Sequence, residues 1–144
     1  MKQYGSKIEY ERERGIDLLR NFRRLVEESQ VVKIIDICGI LVNMPSARFW
    51  VSEERAAIVL SSMMKGDKLD NMRPTKREMF NEIYRRAMLL KEKNPDMTIF
   101  ELAFNVVRQP APKFYLTAKT AKYLILCAKK RCYEETKKRI GHIF

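Results

Sequence analysis

Histidine is almost missing from this chain. Its 144 residues contain one, His142, so neither a histidine-based catalytic triad nor a histidine-ligated zinc site can be assembled. Cysteine is scarce as well: Cys38, Cys127 and Cys132 form no CxxC pair, and an odd number argues against a disulfide framework, leaving reduced structural thiols. Glycine and proline number five each, too few for a low-complexity or disordered chain. There is no GxxxxGK[ST], no GxGxxG and no acidic pair in a catalytic setting, so the expectation is a non-enzymatic protein with no cofactor and no metal. Long apolar runs are absent too. No window approaches the roughly 18 apolar residues that span a bilayer, and the opening MKQYGSKIEYERERG has charges where a signal peptide needs an apolar stretch. A soluble, cytoplasmic protein without a membrane partner follows as the expectation.

Charge, by contrast, is abundant and one-sided. The formal net charge of +11 is large for this length and favours a polyanionic partner, without saying which. An apolar content of 46% is ample for a core. The length suits one compact domain or two very small ones, because a unit of about 60 residues only marginally stabilises itself.

The chain also contains itself twice. Residues 12–66 align without a gap on 77–131, at a constant offset of 65. Arg12-Glu13 falls on Arg77-Glu78, Arg20 on Arg85, Pro45 on Pro110, Phe49 on Phe114 and Ala56 on Ala121. The run LVNMPSARFWVS from Leu41 matches VVRQPAPKFYLT from Val106 with like-for-like pairs. Such repetition implies one supersecondary unit per copy.

Each copy has the pattern of three helices. In the first, Ile16, Leu18, Leu19, Phe22, Leu25 and Val26 recur at helical spacing within Ile8–Glu28. A second helix is expected over Val32–Val42, Pro45 enforces a stop, and Ser52 offers an N-cap for a helix over Glu53–Met64 ending at Gly66. In the second copy Thr75, Thr98 and Thr117 are the expected caps, with breaks at Asn94-Pro95 and at Pro110 and Pro112. The expected fold is therefore all-α: two tandem pseudo-repeated three-helix units, helix-turn-helix-like in plan, packed into one compact body. Residues 1–66 form the first unit, 67–76 a linker and 77–144 the second, with short extended segments at 48–51 and 113–116 that could pair between copies.

Function rests on charge placement. Helix-turn-helix readers have their turn where each copy carries its Arg/Lys-Phe-aromatic element, though the stretch Asn43–Ser52 is longer than the three or four residues of that motif. Arg48 and Lys113 could contact phosphate, Phe49 and Phe114 read as core plugs, and Trp50 and Tyr115 either stack on a partner or close the core. Arg20 with Asp36 and Arg85 with Glu101, both sixteen positions apart, suggest ion pairs between the first and second helices. The third helix of copy one begins Glu53-Glu54, which suits a helix N-terminus but repels DNA. Its counterpart is basic. Lys119, Lys122, Lys129, Lys130, Arg131, Lys137, Lys138 and Arg139 would neutralise phosphates, with Thr117, Lys119, Thr120 and Lys122 nearest the bases. The partner expected is DNA, contacted through the second copy. The competing expectation is an interaction or structural component docking on an acidic protein surface, with homodimerisation left open; outward Trp50 and Tyr115 beside an apolar patch would favour it.

Overall fold

Three hydroxyl side chains start three of the helices. Ser52 accepts a hydrogen bond from the Arg55 amide at 3.1 Å, Thr98 from the Glu101 amide at 3.2 Å, and Thr117 from the Thr120 amide at 3.2 Å. Each satisfies an amide that the helix itself leaves unpaired. At Thr98 the Glu101 carboxylate also accepts from the Thr98 amide, completing a capping box. The computed structural model describes residues 2–28 and 33–143, and the side-chain burial of 9–28 and 33–141. Among the described residues it holds α1 Lys2–Glu28, α2 Ile34–Leu41, α3 Glu53–Met64, α4 Pro74–Lys93, α5 Ile99–Val107 and α6 Ala118–Ile143, with no strand. The all-α expectation stands. No helix is long and apolar enough to cross a membrane among the described residues.

The start of α4 differs from expectation. Thr75 is not a cap: α4 opens one residue earlier at Pro74, behind Arg73, because proline's fixed φ and missing amide suit the first helical position. The expected start of the second helix at Val32 lies outside the described residues, as do the side-chain surroundings of His142. Gly66 ends α3 at φ +104°, a left-handed conformation that glycine adopts without steric cost.

The chain divides into two compact units, residues 1–42 with 117–144 and residues 43–116. Their membership cuts across the division expected from the sequence. α6 packs on α1 and α2, whereas α3 packs on α5 and α4. The helix after each Pro-Phe connection thus joins the opening pair of the other aligned half, so neither connection forms the turn of a helix-turn-helix.

In the first unit, α1 contributes Leu18, Leu19 and Phe22, α2 Ile37, Cys38 and Leu41, and α6 Ala121, Ile125 and Ala128 to the buried core. Ile16 and Val26, expected in the apolar stripe, are 43% and 46% exposed, since they flank the buried line 15, 18, 19, 22. Gly15 meets α6 at a close crossing: a Cβ there would lie 3.0 Å from Ala128 Cβ. Burial raises the Cys38 thiol pKa, with Lys122 and Lys129 pulling the other way, so this thiol is a protonated core group.

In the second unit, Ala56, Val59 and Leu60 of α3 meet Phe80 and Ile83 of α4 and Leu102, Ala103 and Val106 of α5. The two Pro-Phe connections both run through this unit. Ser46 and Ala111, aligned positions of the sequence repeat, exchange amide-carbonyl hydrogen bonds at 3.0 and 3.1 Å as an antiparallel bridge. This bridge is one residue pair, ahead of the segments expected to pair. Neither of those segments runs extended. The Val51 amide turns back to the Phe49 carbonyl at 2.9 Å, and Tyr115 sits at φ +56°.

Arg86 fastens this region. Its guanidinium lies 4.9 Å from the Phe49 ring centroid and donates to Glu82, Gln109 Oε1 and the Pro110 carbonyl. The expected Arg85–Glu101 ion pair is not made: Arg85 grips Glu82 at 2.6 Å, and Glu101 is turned to its cap. Partners three residues away on the same turn, or at the helix N-terminus, are nearer than one on another helix. Asp36 and Arg20 are both exposed and form no ion pair among the described residues.

Candidate nucleic-acid interface

Arg48 and Lys113, the two connection cations expected to reach phosphate, are engaged inside the second unit. Arg48 donates to the Phe49 and Val51 carbonyls at 3.1 and 2.9 Å and to Glu53 at 3.4 Å, with its guanidinium over the Trp50 ring. Lys113 is ion-paired with Glu78 and lies over Tyr115. Tyr115 is buried and stacks on Phe49 with ring centroids 6.0 Å apart. Burial first, then the charges of Glu82 and Glu78, push its phenol pKa up to about 12. Phe49 and Phe114 are both buried, as core plugs should be. Glu53, at the acidic start of α3, takes Arg48 and also Arg108 at 3.5 Å.

α6 is different. Thr117 and Thr120 are exposed, and their hydroxyls engage the cap and each other at 2.9 Å. Lys119, Lys130, Lys137, Lys138 and Arg139 are exposed, and no ion pair holds any of them among the described residues. Three other expected contacts are drawn toward the unit. Lys129 places its ammonium 4.5 Å over the Phe22 ring, Lys122 is half-buried beside Cys38, and half-buried Arg131 lines a cleft with Glu11 and Arg14. The acids of this helix hardly offset the charge: Glu135 is taken by Arg12 at 3.3 Å, leaving exposed Glu134.

Between the exposed lysines stand side chains that the charge count passed over. Tyr123, Leu126 and Tyr133 are 67%, 46% and 68% exposed. Lys119, Tyr123, Leu126, Lys130, Tyr133 and Lys137 follow one another at alternating steps of four and three, which puts them on one line of the helix opposite Ala121, Ile125 and Ala128. The spacing was present in the sequence. The expectation rested on the charges of this helix and did not include its tyrosines.

A second basic set lines an open groove on the first unit, where Arg20, Arg23 and Arg24 surround Ile16, Leu19 and Cys132. Glu27 shares this groove and Arg24 pairs with Glu28 at 3.5 Å, so its charge is partly balanced. No cluster of three or more potential metal-ligating side chains occurs among the described residues. Comparison with models of known protein families, with curated proteins and with solved structures finds no match to this chain.

Proposed function

We propose that this is a small non-enzymatic DNA-binding protein, regulatory or accessory, whose contact surface is the outward face of α6. The observation that carries this proposal is the line of exposed lysines on that face, Lys119, Lys130 and Lys137, which form no ion pair among the described residues. Helix stability explains Lys137, because a cation near a helix C-terminus interacts favourably with the backbone dipole. It does not explain Lys119. That residue stands in a first turn with no acid, where the dipole disfavours a cation, and an incoming phosphate would relieve the conflict.

The sequence repeat gives the same surface a contrast. We take the chain as a tandem duplication whose third helices have exchanged partners, supported by the Ser46–Ala111 bridge between aligned positions. The α3 positions aligned with Lys119, Tyr123, Leu126 and Lys130 are Glu54, Ile58, Ser61 and Lys65. Copy one lacks the basic line, and its acidic start is occupied by Arg48 and Arg108.

A protein-docking role has one observation in its favour, the exposed pair Phe100 and Phe104 on α5, whose ring centroids are 6.4 Å apart. Trp50 and Tyr115, expected to carry that role, are half-buried and buried. Fluorescence anisotropy of labelled DNA separates the alternatives. The native chain should bind at low salt, and Lys119→Ala/Lys130→Ala/Lys137→Ala should lose binding at least tenfold while melting at the same temperature. Binding that survives in the variant removes α6 as the surface, and no binding at low salt removes the DNA-binding function.

A further inference from the structure

We infer that α6 takes single-stranded rather than duplex nucleic acid, with Tyr123 and Tyr133 as stacking platforms between phosphate-binding lysines; this rests on the DNA-binding function proposed above. Both rings are about two-thirds exposed, at 67% and 68%, and neither makes a contact with another ring or a cation among the described residues. They are ten positions apart on one helix, a rise of about 15 Å, with Lys130 between them and Lys119 and Lys137 beyond either end. Cation and ring therefore alternate along a line of about 27 Å from Lys119 to Lys137, with Tyr123 at the edge of the cleft that Glu11, Arg14 and Arg131 line.

Duplex DNA uses only half of that arrangement. Its bases already stack on one another, so a tyrosine meets a base face only after a step is unstacked. Nor does this line carry the arginine, asparagine or glutamine that reads base edges in a major groove. An unpaired strand offers both partners at once, phosphates for the ammonium groups and free π-faces for the rings. Another copy of this chain is the wrong occupant, because α6 laid against α6 along this line would appose Lys119, Lys130 and Lys137 with one another.

The test is anisotropy titration of the full chain against a labelled oligothymidine of about 20 nucleotides and a mixed-sequence duplex of equal length. Single-stranded binding should be tighter by about fivefold or more. Tyr123→Ala and Tyr133→Ala should each weaken it about fivefold or more, as expected for the loss of one base stack, and leave duplex affinity unchanged. Tyr123→Phe and Tyr133→Phe should retain it, since the ring and not the hydroxyl stacks. Both positions are exposed, and unchanged melting temperatures would show that the variants fold. Duplex binding as tight as single-stranded, or alanine variants with native single-stranded affinity, would overturn the inference while leaving DNA binding intact. Failure of both probes at low salt would instead sink DNA binding itself.

Discussion

Tyr115 shows how much one residue's setting can depart from its local sequence. It lies in an Arg/Lys-Phe-aromatic element that could equally expose or bury its ring, yet it is held at φ +56° with its ring stacked on Phe49 and its phenol pKa pushed up to about 12. A raised pKa on a group that is neutral when folded means that the unfolded chain loses its proton first, so stability is lost as pH rises from about 10 toward 12. Urea midpoints measured at pH 9 and pH 11 should fall more for the native protein than for Tyr115→Phe; equal falls would deny the coupling. At Gly15 two effects oppose each other. A larger residue gains up to about 1 kcal/mol of helix propensity, but a Cβ already comes within 3.0 Å of Ala128, and overpacking costs about 1–3 kcal/mol. For Gly15→Leu the steric cost wins, with a lowered thermal midpoint expected; a midpoint at or above the native value would show that α1 and α6 yield freely.

Helices were the most legible level, because caps and breakers act through neighbours in sequence. Ser52, Thr98 and Thr117 cap as their chemistry requires, and Pro95 and Gly66 stand where helices stop. The capping box at Thr98 should make Thr98→Ala cost about 1 kcal/mol, read as a lower urea midpoint with unchanged slope. No change would mean that packing alone holds α5. Ion pairs between helices were not legible. Spacing along the chain says nothing about which neighbour is nearer in space, and Arg85 found Glu82 on its own helix before Glu101 on the next. The candidate surface was half legible: the lysines of α6 announced themselves by charge, whereas the exposure of Tyr123 and Tyr133 came from the structure.

At the scale of the whole molecule, the 65-residue alignment offset matched helices along the chain but could not say which elements each would pack against. α3 packs on α4 and α5, α6 packs on α1 and α2, and eleven residues, 42–52, separate α3 from α2. The charge of +11 likewise named a class of partner and left the surface open. Burial and ion pairing then divided the cations, with Arg48, Arg86 and Lys113 spent inside the second unit and Lys119, Lys130 and Lys137 left facing solvent on α6.

The central claim is that these three lysines meet phosphates. The most direct measurement is the slope of log affinity against log salt for DNA binding, comparing Lys119→Ala/Lys130→Ala/Lys137→Ala with a variant of equal charge change, Lys65→Ala/Lys68→Ala/Lys91→Ala, whose residues are also exposed. Each phosphate contact contributes about 0.7 to 0.9 to that slope, so the α6 variant should lose about two to three and the matched variant nothing. An equal loss in both variants would mean that net charge alone attracts the nucleic acid, and would contradict a contact surface on α6.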